Sequence, residues 1–245
     1  RDEVAATERS IAQATSLVVR GDGSMVLFLV ADTLHVATRD TGGNWSRSTP
    51  LDPAASHILA GPQAVLADDD VVHVAYYRDD GTLWHRMLRP DGAWSPSVQL
   101  AANAGKTRAD YGSILPLVHL ANSDTVAIVY RLADGHLWER RANAAGKLTA
   151  PVRVSDRAVV QHAVDSQQAA ADVVAEGDTL HVLFIDDVTR DLFSTHSQRG
   201  SWPPATLRVA GIQGSRVRAG IIRSADGARA CGYIYDAGSE GGAGM

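Results

Sequence analysis

Arginines and carboxylates recur close together along this chain, in short polar stretches between apolar runs: Arg78-Asp79-Asp80, Arg108 with Asp110 and Tyr111, Arg131 to His136, Asp186 to Asp191, Arg216 to Arg218, and Asp236 to Glu240. A guanidinium reads a carboxylate bidentately, and two carboxylates set across a glycosidic bond can divide the acid and nucleophile roles. Asp79, Asp110, Tyr111, Asp186 and Asp236 are therefore the catalytic candidates, and Arg78, Arg108, Arg131 and Arg218 the substrate-binding ones. Trp84 and Trp138 each stand two residues before an arginine, Arg86 or Arg140. On an extended segment such pairs face the same way, and they could stack on a sugar ring and bond its hydroxyls, or simply pack between sheets. Tyr77-Arg78 and Tyr130-Arg131 recur at matching places. His162 with Asp165, and His119 near Tyr111, offer a base and an acid for β-elimination from a uronic acid. Asp-rich turns also adopt turn geometry and stay hydrated with no further role.

Composition narrows the setting for this chemistry. The 245 residues are 45% hydrophobic, enough for one sizeable core. A formal charge of −5 leaves no basic surplus to attract phosphate backbones, so nucleic acid is not an expected partner. The longest apolar run, Met25 to Ala31, is far short of the roughly 20 residues of a membrane helix, so no membrane partner is expected. The N-terminus is neither basic nor apolar enough for a signal peptide, and any export signal is expected to have been removed. Cys231 is the single cysteine, which excludes an internal disulfide framework and a cysteine-based zinc site. No His-x-x-x-His or Glu-x-x-His spacing calls for a transition metal, and Asp68-Asp69-Asp70 reads as a hydrated turn. No metal and no cofactor are expected.

The elements that position these residues follow from an internal repeat. Leu34, Leu83, Leu137, Leu192 and Met245 share one register at spacings of 49, 54, 55 and 53. In the second copy VVHVAYYR, DDGT, LWHRMLR and PDGAW follow in order, and the other copies repeat the scheme. Trp45, Trp94, Leu148 and Trp202 close the second turn, 10 or 11 residues after the register leucine. A short apolar stretch precedes each copy and a short extended one follows each turn, which makes four strands per unit. The runs are rich in Val, Ile, Leu, Tyr and Trp and are bounded by Asp, Gly and Asn, as strands and turns require. The fold class expected is all-β, a β-propeller of about five four-stranded blades. It forms a single domain over 1–245: a closing strand in 1–15, blades at about 16–57, 58–112, 113–168 and 169–219, and a partial one at 220–245. The missing strands would come from residues beyond Met245, which could include further blades, or from a second chain.

Thr38-Arg39-Asp40-Thr41-Gly42-Gly43-Asn44-Trp45 resembles the Asp-box of sialidase-like propellers, Ser-x-Asp-x-Gly-x-Thr-Trp, with Thr38 for serine and Asn44 for threonine. Asp91-Gly92-Ala93-Trp94 and Gly200-Ser201-Trp202 look like degenerate copies. The resemblance implies that Asp40 accepts backbone N–H bonds and that Trp45 packs between strands. It marks a fold and carries no chemistry. The Phe/Tyr-Arg-Ile-Pro motif of true sialidases is absent, which leaves the broader group of lectins, glycosidases and polysaccharide lyases.

In such a ring the loops joining second to third strands, and those joining blade to blade, open on one face. The expectation is a channel-mouth site there for a polar or anionic carbohydrate, bound or cleaved, outside the cytoplasm in an extracellular or periplasmic space. Two alternatives stand beside it: a lyase acting on uronic acid, and a scaffold that binds protein.

Overall fold

The computed structural model describes residues 15–30, 33–56, 62–78, 80–102, 116–160, 170–197, 200–211, 216–223 and 229–236, the last two ranges as backbone path alone. Four antiparallel four-stranded sheets follow one another along the chain. The first holds β1 (Thr15–Val19), β2 (Met25–Val30), β3 (Thr33–Arg39) and β4 (Thr49–Ser56). The second holds β5 (Gln63–Leu66), β6 (Val72–Tyr77), β7 (Leu83–Leu88) and β8 (Val98–Ala101). The third holds β9 (Val118–Leu120), β10 (Thr125–Arg131), β11 (Leu137–Asn143) and β12 (Val152–Arg153). The fourth holds β13 (Ala171–Glu176), β14 (Thr179–Ile185), β15 (Leu192–His196) and β16 (Thr206–Val209). A fifth, two-stranded sheet pairs β17 (Arg216–Arg223) with β18 (Arg229–Asp236). The only helical element among the described residues is the 3₁₀ turn Asp68–Asp70.

Strand order within each sheet is sequence order, and β1, β5, β9, β13 and β17 lie side by side in succession. This is the all-β propeller the repeat calls for. The register leucines explain its regularity. Leu34, Leu83, Leu137 and Leu192 are fully buried and face Val30, Tyr77, Arg131 and Ile185 across the second and third strands. Alternation along each strand sends one set of side chains toward the preceding blade and the other toward the next. Phe28, Val74 and Tyr76 fill the first seam, Tyr77, Ile128 and Tyr130 the second, Val129, Val182 and Phe184 the third.

The turn residues act as the repeat suggests. Trp94 meets Phe28 of the preceding blade edge-on, ring centroids 6.2 Å apart, and Trp202 packs on the third seam. Trp45, expected as a packed indole, is only half-buried. Asp40 Oδ1 accepts the Asn44 N–H at 2.8 Å, and bonds from the Asn44 backbone and side chain hold its carboxyl below the usual range. The segment 1–15, apart from Thr15, and Met245 lie outside the described residues, and the expected closing strand falls among them.

Candidate functional site

The strand directions put the β2–β3, β6–β7, β10–β11 and β14–β15 loops at one end of the blades, together with the inter-blade connections. The described candidates of that end fall in two seams, Arg78 between blades 1 and 2, and Arg131 with Asp186 about the Val159 segment between blades 3 and 4. Arg78 follows β6 and turns toward blade 1, where its Nε and Nη2 donate to Asp52 Oδ2 at 2.9 and 2.8 Å. The Tyr76 hydroxyl donates to the same oxygen at 2.8 Å, and burial, with the carboxylate beside it, raises the phenol well above its usual range. The guanidinium also lies 3.7 Å from the centroid of the Trp84 ring. Arg131, at the end of β10 in blade 3, is buried, its Nε donating to Val159 O at 2.9 Å. Burial pushes its pKa down, against the pull of Asp187 and Asp134.

This separation corrects the match of Tyr77-Arg78 with Tyr130-Arg131. Tyr76 pairs with Trp84 and Tyr130 with Trp138, so Tyr130 corresponds to Tyr76 and Arg131 to Tyr77. The offset of one residue sends the two arginines to opposite faces of their sheets. They do not converge.

Trp84 and Trp138 pack into the first and second seams. Their indole N–H groups are engaged locally, with Thr82 Oγ1 and Asp134 Oδ2. The arginines that share their faces tie blades together. Arg86 donates to Ser95 O and to Leu51 O of blade 1, and Arg140 to Thr149 O and to Gln99 O and Leu100 O of blade 2. Asp186 is 3% exposed and holds its own loop, accepting the N–H groups of Val188 and Thr189. Burial acts to raise its pKa, but bonds from Thr189, Val188 and Arg157 outweigh it and hold the carboxyl below the usual range. A general acid needs the opposite shift. Arg218 lies within β17 rather than in a loop, and Asp236 ends β18 opposite Arg216. Asp79, Arg108, Asp110, Tyr111 and His162 lie outside the described residues.

The opposite end carries a cavity of about 440 Å³ between blades 1 and 2, lined by Arg20, Arg39, Arg47, Asp40, Ser46 and Trp94 among others. Arg20 comes from the β1–β2 loop, Arg39 from the end of β3, Arg47 from the β3–β4 turn and Trp94 from the β7–β8 turn. Arg20 Nη2 donates to Arg89 O at 3.1 Å, while its buried Nε has no hydrogen-bond partner. An unpaired buried donor is costly. Three guanidinium groups and an indole give this pocket donors for hydroxyl or carboxylate oxygens and an apolar plane. The loop pattern on the other face did not single these residues out. Strand order places the β1–β2 and β3–β4 loops together at the other end, but it does not say which of their side chains meet across the seam.

A further polar seam joins blades 3 and 4. Glu139 is 3% exposed, with Oε1 accepting from Arg141 Nε at 2.6 Å and Oε2 from Trp202 Nε1 at 2.8 Å. A cavity of about 250 Å³ opens beside Trp202, Arg153 and Asp156.

Solved structures similar to this chain are propellers of known type. The BP39L lectin from Burkholderia pseudomallei aligns with TM-score 0.60 at 16% identity, over 78% of this chain and 54% of that one. The SapL1 lectin, solved in complex with alpha methyl fucoside, aligns with TM-score 0.58 at 15% identity, over 92% of this chain and 74% of that one. A Hadza microbial sialidase aligns with TM-score 0.50 at 12% identity, over 89% of this chain and 52% of that one. This chain thus spans about half the length of the BP39L lectin. At these identities the likeness establishes the fold class alone, a β-propeller. No protein-family model matches the sequence, and no curated protein matches it.

Proposed function

We propose that the protein is a carbohydrate-binding propeller that takes a polar or anionic sugar between its blades, outside the cytoplasm. The observation that carries this reading is the pocket between blades 1 and 2, which Trp94 lines with an aromatic ring and Arg20, Arg39 and Arg47 with guanidinium donors. Sugars present a C–H face and a rim of oxygens, and this pairing of surfaces complements both. The lectin structures that share the fold support it, one of them being a complex with a fucoside. Of the catalytic candidates, Asp186 is described with a shifted carboxyl, held below the usual range, the opposite of what a general acid needs.

The test is a glycan array on the 245-residue chain, followed by calorimetry with the best ligand and an assay for reducing ends and unsaturated uronates. Trp94→Ala and Arg47→Ala are expected to weaken binding by about tenfold or more, the range for a charged hydrogen bond or a lost stacking plane. Retention of full affinity by both variants would remove the pocket from consideration. Turnover in the assay would instead favour an enzyme.

A further inference from the structure

At the end that carries the β1–β2, β5–β6, β9–β10 and β13–β14 loops, neighbouring blades are tied loop to loop. Gly21 N–H donates to Asp70 Oδ1 at 2.9 Å between blades 1 and 2, and Ser123 N–H to Asp178 Oδ1 at 3.2 Å between blades 3 and 4. Between blades 2 and 3 the link has a different chemistry. Asp68, from the 3₁₀ turn of blade 2, and Asp124, from the β9–β10 loop of blade 3, both face the imidazole of His119 on β9. Nε2 of His119 stands 3.7 Å from Asp68 Oδ2 and 3.6 Å from Asp124 Oδ1, beyond hydrogen-bond length. That nitrogen is buried and makes no hydrogen bond. One ligand atom from each of the three residues lies within 4.8 Å of the others.

We propose that Asp68, His119 and Asp124 bind a first-row divalent cation that clamps blade 2 to blade 3. An ion among three atoms so spaced sits roughly 2–2.5 Å from each, the range of metal–ligand bonds. The two carboxylates balance a divalent charge, and their mutual repulsion becomes attraction to the ion. The imidazole directs the choice toward zinc, manganese or their neighbours and away from calcium and magnesium, which take oxygen ligands. The sequence spacing hid the site, since Asp68 and His119 stand 51 positions apart and no local motif contains both.

Zinc binding to the tag-free chain, measured by calorimetry and by thermal melting, tests this. The expected result is one saturable site per chain and a melting temperature that rises by about 5 °C or more at a large excess of zinc over Kd. His119→Gln and Asp124→Asn should each weaken zinc binding by at least tenfold. Cobalt(II) loading of the unsubstituted protein, read from its visible d–d bands and from the NMR line of the His119 ring, gives a measurement that does not depend on how the variants fold. The proposal is overturned if no saturable zinc site is found, if both variants bind zinc as the parent does, or if the His119 ring is untouched by cobalt. Calcium binding that survives His119→Gln would also overturn it, because the imidazole would then have no part.

Discussion

Arg78 and Asp52 show how far a residue's role depends on the partner across the seam. Asp52 is 4% exposed and accepts from both Tyr76 and Arg78. Removing the carboxylate leaves a partly buried guanidinium and a buried phenol to find other partners. Asp52→Ala should therefore cost about 2–4 kcal/mol in urea unfolding, and a double-mutant cycle with Arg78→Ala should show strong coupling. Arg78→Ala should lower stability while leaving glycan affinity within about twofold, since the group is committed to the seam. A loss of affinity without loss of stability would restore Arg78 as a ligand-binding residue.

Two buried histidines set an acid limit at the same scale. His73 Nδ1 and His85 Nε2 are 3.0 Å apart, a bond that requires at least one ring to be neutral. Burial, assisted for His73 by His119 and for His85 by His73, lowers their pKa to about 4 and about 3. The unfolded rings titrate near 6.5, so between that value and about pH 4 the unfolded chain binds more protons. Stability is then full above pH 6.5 and falls as pH drops, by about 1.4 kcal/mol per pH unit for each ring. Denaturant melts at pH 7, 6 and 5 check this, and His85→Gln should reduce the slope by about one ring's share.

At the scale of elements, the tight turns make the blades interchangeable in outline. Gly43, Gly92, Gly146 and Gly200 hold positive φ at equivalent places in the turns between third and fourth strands. At Gly146 an added Cβ would also fall 2.6 Å from Met87 Cε of the preceding blade, a contact that the flexible methionine can relieve. The backbone cost remains. Gly146→Ala should destabilise by about 1–2 kcal/mol and lower the melting temperature by several degrees. Arg86 and Arg140 occupy matching positions and repeat one bonding pattern, and Thr195 takes the place in blade 4 by donating to Pro203 O at 3.0 Å. Glu139 has no counterpart carboxylate there: His85 and Ser194 stand at its position in blades 2 and 4. The seams differ most where their polar chemistry lies.

For the whole molecule, each blade is stabilised chiefly by its neighbours. Strands β6 and β10 place fully buried residues on both faces, Val74 and Ala75 in one and Val126 and Val129 in the other. Their amides should exchange slowest in native-state hydrogen exchange, while β1, with Leu17 55% and Val19 51% exposed, should exchange sooner. Equal protection across these strands would indicate a single cooperative unit without blade-level structure.

The sequence by itself determined the repeat, the strand count per blade and the turn chemistry, because each depends on local alternation and on residues that favour turns. Leu83 and Leu137 announced their register through spacing alone. The face each arginine would take was beyond it: a shift of one residue between Arg78 and Arg131 reverses the side chain's direction, and only the cross-strand pairing fixes that register. The tertiary structure alone decided that Arg20, Arg47 and Trp94 share a pocket and that Asp68 meets His119. Those neighbours come from different blades, and packing one sheet on the next sets distances that no local spacing contains.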